Sequence, residues 1–441
     1  MSLRVILRPV AGVLVLAVSP VGWAHSEQLT WDATVREALA SNPALAAARE
    51  DVAAAKAGVW IAASDFLPGV SADGGLNRGG SRPLDRDWQP AGPESESTSY
   101  SLGGSASLNI FKGGASWASY KRARAVLTRS RESYRQTSQG LRWSLRQSWN
   151  RLVYDMRNIE LLTSIKERLN RDTRYLEIQF KSGHEPRWTF LKAMGDEASI
   201  AWQLAQAKLA LISDRRDIAR FLGRDPDSAT ALEASGELST AASPDDASGL
   251  YALMERTHPA FLIEEAAIQS AEAGVTQAMS VWWPSIGTRA SYDWSDAGAW
   301  PPSRSSWSAG VTVSLPLFSG GGDWFAVSQA RHSLFSEQKN RDDLRASLRD
   351  QLFGAWASFR STYDRMPVLK LGSEMADERF KTVQALYESG RAAYLDFDQA
   401  DSALTQAQQQ LLSGKLALSQ SKTDYDKALG LTLEDEGAEK P

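Results

Sequence analysis

The chain has 441 residues, 43% of them apolar, no cysteine, 16 tryptophans and a formal net charge of −4. That length provides for two or three domains or one large architecture, while 49 basic against 53 acidic side chains leave no cationic field for nucleic acid or anionic lipid. Without cysteine there is no disulfide or thiolate nucleophile, the four histidines (His25, His184, His258, His332) are too scattered to suggest a metal site, and a mean hydropathy of −0.34 excludes a bundle of apolar membrane helices.

The first predicted element is a secretory signal at 1–24. Arg4 and Arg8 form its positive region, Val10 to Val18 its apolar stretch, and Gly22-Trp23-Ala24 offers small residues before a cut after Ala24. The apolar stretch is too short to span a bilayer, and the chain is expected to leave the cytoplasm. No cysteine is present to carry an N-terminal lipid.

The remainder reads as two copies of one unit. Asn42-Pro43 recurs as His258-Pro259 and Phe66-Leu67-Pro68 as Trp282-Trp283-Pro284, both 216 residues on. Ser182-Gly183 and Leu222-Gly223 recur as Ser389-Gly390 and Leu429-Gly430, now 207 residues on. The difference falls in a Gly-, Pro- and Ser-rich stretch at 79–99, a loop tip where length changes are tolerated. The organisation is therefore a first repeat at 25–223, a linker at 224–249 with at most short local structure, a second repeat at 250–430 and a C-terminal tail at 431–441.

Each repeat opens with one predicted helix, Trp31 to Leu67 and Leu250 to Trp283. A β-hairpin follows, at about 69–111 and about 285–318. In the first, Val70, Ala72 and Leu76 alternate with Ser71, Asp73 and Asn77, then Tyr100, Leu102, Ala106, Leu108 and Ile110 with Ser101, Ser105, Ser107 and Asn109. In the second, Ile286, Ala290, Tyr292 and Trp294 alternate with Arg289, Ser291 and Asp293, and Trp307, Ala309, Val311 and Val313 with Ser308, Gly310 and Thr312. The polar faces suit a water-filled lumen, with Arg289 among the lumen-facing positions, and the apolar faces suit lipid. Each strand has membrane-spanning length, and tryptophans crowd the strand ends as at a membrane interface. Four strands cannot close a barrel, and open edges are not tolerated in lipid, so two or three protomers must share one. Strand counting does not choose between them.

After each hairpin comes a proline-poor stretch, Gly114 to Gly183 and Gly321 to Gly390, the second holding Pro367, where a kink is expected. At 1.5 Å per residue each makes a helix about 100 Å long, suited to coiled-coil packing in a long tube. Shorter helices return to Gly223 and Gly430. Gly320-Gly321-Gly322-Asp323 and Lys112-Gly113-Gly114 lack the lysine and spacing of phosphate loops and read as strand-to-helix turns. No nucleophile, base and orienting group come together, so no enzyme, cofactor or metal is expected. A soluble periplasmic coiled-coil scaffold is the rival reading from another class.

These residues resemble a known family. The signal, Leu29-Thr30-Trp31-Asp32-Ala33 with Asn42-Pro43, the Phe-Leu-Pro before the first hairpin, Leu317-Phe318-Ser319-Gly320-Gly321 after the second, and Tyr387-Glu388-Ser389-Gly390 followed by Asp396 look like the TolC family of outer-membrane factors, over about residues 27–431. The resemblance implies a mainly α fold with a transmembrane β-barrel, four strands and long coiled-coil helices per protomer, in a homotrimer. It implies the exit duct of a tripartite export system in the outer membrane of a Gram-negative bacterium, extending into the periplasm and embedded in outer-membrane lipid. The partners implied are a periplasmic adaptor and an inner-membrane RND or ABC transporter, with small-molecule efflux and type I protein secretion as alternatives.

In that family an aspartate ring lines the closed periplasmic entrance beside a Tyr/Arg latch. Asp396 matches the first aspartate and Tyr387 the latch tyrosine. Gln399 stands at the second aspartate, with Asp398 adjacent and Asp401 two beyond; Ala392 stands at the latch arginine, beside Arg391, and Thr189 at the first-copy partner aspartate. The helical tips, Lys181, Ser182, Gly183 and His184 with Ser389, Gly390 and Arg391, are the expected adaptor contacts.

Overall fold

The computed structural model describes residues 27–227, 232–238, 243 and 247–437. The predicted signal at 1–24 lies outside them, as does part of the linker. The first repeat runs β1 (Glu27–Leu29), α1 (Trp31–Ser41), α2 (Pro43–Ser64), β2 (Gly69–Ser81), β3 (Ser95–Lys112), α3 (Ala115–Lys181) and α4 (Arg187–Phe221). After β4 (Leu232–Ala234) the second runs α5 (Ala247–Thr257), α6 (Pro259–Met279), β5 (Ser285–Ala297), β6 (Arg304–Ser314), α7 (Gly322–Glu388) and α8 (Tyr394–Ala428), closed by α9 (Leu433–Gly437).

The single helix expected at the start of each repeat is two. Proline fixes its own φ and pushes the residue before it out of the helical region, so Asn42 and His258 are both extended. Each then caps the new helix: Asn42 Oδ1 accepts from the Ala44 and Leu45 amides at 2.9 and 3.2 Å, and His258 Nδ1 from the Ala260 amide at 3.3 Å. Burial, with the nearby Arg135 charge, pushes the His258 pKa down to about 4. Its ring is therefore neutral at pH 7 and free to accept that bond.

Helices α3 and α7 each have 67 residues, and α4 and α8 each have 35. All four long helices stop alike. A glycine with positive φ (Gly183, Gly223, Gly390, Gly430) follows, and its amide and the next bond back into the last turn, as Gly390 N to Tyr387 O and Arg391 N to Leu386 O do. Helix α7 continues through Pro367 without a break. Opposite this proline, Leu369 Cδ1 fills the space a Cβ would need at Gly414 on α8.

The four long strands form one antiparallel sheet in the order β2-β3-β5-β6. Strands β2 and β3 extend beyond the alternating core into the Gly- and Ser-rich stretch, pairing Gly79 with Ser97 and Ser81 with Ser95. Val70, Trp307, Val311 and Val313, 65–80% exposed, share the apolar face. Among the described residues, edges β2 and β6 have no partner strand within one chain.

Two short segments outside the repeats take on structure, the linker within the short local structure allowed to it. The linker contributes β4, which pairs in parallel with β1 and buries Leu232 and Ala234 against Leu29 and Trp149. The tail contributes α9, whose Glu436 accepts from Trp31 Nε1 and pairs with the buried Arg142, while Glu434 accepts from Ser138 and Tyr134. Elements of three to five residues carry too few side chains for a periodic signal, and only their distant partners define them.

Asp155 on α3 and Asp214 on α4 share a buried hydrogen bond near Arg151. Burial and then the Asp155 charge push Asp214 up to about 7, and burial also raises Asp155. Both folded-state values exceed the ordinary carboxyl value, so between about pH 4 and 7 the native state holds more protons than the unfolded chain. Stability from this pair is full at low pH and is lost as pH rises through that window. The assembled protein is expected to melt at a higher temperature at pH 6 than at pH 8. Asp214→Asn is expected to flatten that difference; an unaltered pH profile in a thermal melt of the variant would contradict the assignment.

Candidate functional site

The two helical tips lie at equivalent places in the two repeats. Gly183 and Gly390 have φ of +77° and +72° with open space around them, so their role is conformational. Around them Lys181 pairs with Glu177 on its own helix, His184 Nδ1 lies 2.9 Å from Ser182 Oγ, and Arg391 Nε donates to Ser389 Oγ at 3.2 Å. Every one of these side chains is exposed.

Helix α8 starts four residues past its tip glycine, and its first three turns divide their side chains between two faces. Asp396 and Gln399, three apart, are exposed on one. Tyr394, Phe397, Ala400, Asp401 and Leu404 are buried on the other, against Leu176 of α3, Ala193 of α4 and Phe380 of α7. Asp398 lies between and is held by Lys192 of α4 at 2.5 Å, which also pairs with Asp196 at 2.8 Å. Burial lowers the Lys192 pKa, yet its hydrogen bonds to both carboxylates outweigh that and raise it. Asp398 is thus engaged by α4, whereas Asp396 is open.

A second ion pair lies deeper. Arg168 of α3 and Asp401 of α8 form an ion pair, 2.6 Å apart between Nε and Oδ1. Arg168 also donates to Thr405 Oγ1 at 2.8 Å and lies over the Phe380 ring at 5.3 Å. Burial raises the Asp401 pKa even with this guanidinium beside it. Together the two pairs tie α8 to α3 and α4 across the repeats.

Tyr387 stacks on Phe397 at 5.1 Å and meets Tyr175 and Tyr394 at 6.1 and 6.2 Å. Burial is the main cause that pushes its hydroxyl pKa up to about 12. Thr189 is buried and donates to the Pro186 carbonyl at 2.6 Å within its own turn. Ala392 offers no charge here.

On the strands, Arg289 Nη2 reaches Ser105 Oγ at 3.4 Å across the β3–β5 pair. One ladder row aligns Asp73, Gly103 and Asp293, and a Cβ at Gly103 would overlap Asp293 Oδ1. Among the described residues no helix is long and apolar enough to cross a membrane, and no cluster suits a metal ion.

Lys192 and Arg168 are not legible in the sequence as site residues. Lys192 sits four residues before Asp196 and reads as an ordinary surface helix pair; its partner Asp398 lies in the other repeat.

The profile of the outer membrane efflux protein family matches residues 34–224 and 250–431. No curated protein matches the chain at a significant level. Among solved structures the chain is similar to a membrane protein from Pseudomonas aeruginosa (TM-score 0.80, 20% identity, 97% of this chain and 99% of that one). It is also similar to the outer membrane protein VceC of Vibrio cholerae (TM-score 0.79, 16% identity, 91% and 96%). A third likeness is to the Neisseria gonorrhoeae MtrE outer membrane channel in its open state (TM-score 0.78, 20% identity, 95% and 94%).

Proposed function

Because the chain belongs to the outer membrane efflux protein family, we propose that three copies join their four-stranded sheets into one twelve-stranded barrel and act as the passive exit duct of a tripartite pump. The protein is an outer-membrane channel of Gram-negative efflux, continuing into the periplasm. Its family is one of channels rather than enzymes. The carrying observation is the sheet: apolar side chains share one exposed face on strands of 11–18 residues, and β2 and β6 present open edges that lipid does not tolerate. Pairing β6 of one copy with β2 of the next satisfies both edges.

The helices supply the rest. At about 100 Å, α3 and α7 suit a tube across the periplasm, and the tips at 181–184 and 389–391 would meet a periplasmic adaptor serving an RND or ABC transporter. Small-molecule efflux is favoured over type I secretion by the family description. Deleting the gene is expected to sensitise cells to toxic compounds while leaving the secreted proteins unchanged; the reverse pattern would overturn the efflux reading.

At the periplasmic end the exposed Asp396 of three copies would form a ring of carboxylates that favours cations. Asp398 and Gln399 flank it, and Tyr387 packs the joint behind it. Asp396→Asn removes three charges at once, and block by multivalent cations added from the periplasmic side is expected to weaken roughly tenfold or more. Planar-bilayer conductance reads this directly, and an unchanged block would sink the ring. Opening such an entrance requires α7 and α8 to move against α3 and α4, which the Lys192–Asp398 and Arg168–Asp401 pairs resist.

A further inference from the structure

Behind the proposed gate lies a cavity of about 360 Å³ between α3, α7 and the first turns of α8. That volume lies within the range of small-molecule sites. Tyr175, Tyr387, Tyr394 and Phe397 form its aromatic wall, with ring centroids 5.1–6.5 Å apart, and Asp172 and Glu388 add two carboxylates. Arg171 is the one cation on the lining.

Asp172 is the unusual member. Its Oδ2 is shut off from solvent and receives no hydrogen bond from any described residue. A buried carboxylate left short of a hydrogen bond is costly, and a cation held in the cavity beside it would offset its charge through space, an oxygen closed to water being closed to direct contact with a larger ion. Aromatic faces carry negative potential and, gathered around a carboxylate, recognise quaternary ammonium groups. We propose that this cavity binds an organic ammonium ion, its positive centre between Asp172 and the tyrosine faces, and that the bound ion holds the entrance shut by bridging α3 to the α7–α8 hairpin. The closing role rests on the gate reading above; the binding does not.

The charges facing Asp172 are Arg168 and Arg171 on its own helix, Glu388 on α7 and Asp401 on α8. Burial and then Asp401 push its pKa up to about 6, against the lowering effect of the two arginines. A cation needs the ionised carboxylate, so affinity should fall as the pH drops from 7.5 to 5.

The test uses the detergent-solubilised trimer and benzyltrimethylammonium as probe. Titration calorimetry at pH 7.5 should show saturable binding with one site per protomer. Affinity should be about tenfold weaker in the near-isosteric Asp172→Asn and in Tyr387→Leu, each checked for intact trimer by heat-modifiable gel migration. No saturable binding to the wild-type trimer, or an affinity unchanged in either variant, overturns the site. Conductance read in parallel separates the two claims: the probe should lower it in the wild type and not in Asp172→Asn. Binding without a fall in conductance overturns the closing role alone.

Discussion

Gly113→Ala is expected to deplete the assembled protein from the outer membrane, with heat-modifiable trimers falling to a small fraction of the wild-type level. Gly113 follows β3 with a φ of +60°, a left-handed conformation that costs an alanine about 1–2 kcal/mol. The added Cβ would also overlap the Ser280 carbonyl oxygen and lie 2.9 Å from Trp283 Cβ. Those atoms belong to the turn that leads into β5, and they cannot withdraw without disturbing the neighbouring pairs Phe111 with Ile286 and Lys112 with Ser285. Overpacking of this kind typically costs a further 1–3 kcal/mol. Together the two amounts are a sizeable part of the 5–15 kcal/mol that keeps a typical domain folded. Gly114 provides the internal control. Its φ is +88° but it has open space around it, so Gly114→Ala should cost the conformational part alone and leave most trimers intact. Equal trimer yields from the two variants would show that the junction gives way, contrary to the packing described.

Arg168→Ala is expected to leave the entrance ajar, raising single-channel conductance several-fold and admitting bulky hydrophilic antibiotics. The side chains of Arg168 and Asp401 are 16% and 9% exposed, so removing the guanidinium leaves a carboxylate buried without its counter-charge. Breaking a buried pair from one side costs about 3–5 kcal/mol. That cost falls where α8 meets α3, and moving the α7–α8 hairpin outward to reach water is the relaxation available to Asp401. The double variant Arg168→Ala with Asp401→Ala should return conductance towards the wild-type value, because the stranded charge is gone. Lys192→Met should act in the same direction but less, since Lys192 is 37% exposed and divides its charge between Asp398 and Asp196, so less of it acts on the more buried partner. A double variant as open as Arg168→Ala alone would place the tie elsewhere.

Much of this architecture was legible beforehand because it is periodic or doubled. Alternation over seven residues each marks Val70–Leu76 and Trp307–Val313 as two-faced strands whichever fold contains them. The paired landmarks Gly183/Gly390 and Gly223/Gly430 locate helix ends because a left-handed residue there favours glycine. The break at Asn42-Pro43 and His258-Pro259 was equally present in the sequence as a proline signal, yet the helical composition on either side obscured it. The gate was only partly legible. Asp396 could be placed by resemblance, while Lys192, Arg168 and Asp172 have no local pattern that separates them from solvated helix charges.

By itself the sequence determined which faces exist: four strands with one apolar and one polar side, two pairs of very long helices, and the glycines that end them, all properties of residues close together along the chain. Only the tertiary structure decided what those faces meet. It set the order β2-β3-β5-β6 and the two edges it leaves open. It gave β4 and α9 their distant partners, sent Asp398 to Lys192 rather than to the side shared by Asp396, and gathered four aromatic rings around Asp172. The β3–β5 junction, the β1–β4 pair, the α9 contacts, the Lys192–Asp398 pair and the approach of α7 and α8 to Asp172 each join residues more than a hundred positions apart. Such contacts depend on the whole chain closing on itself, and no periodicity along the chain encodes them.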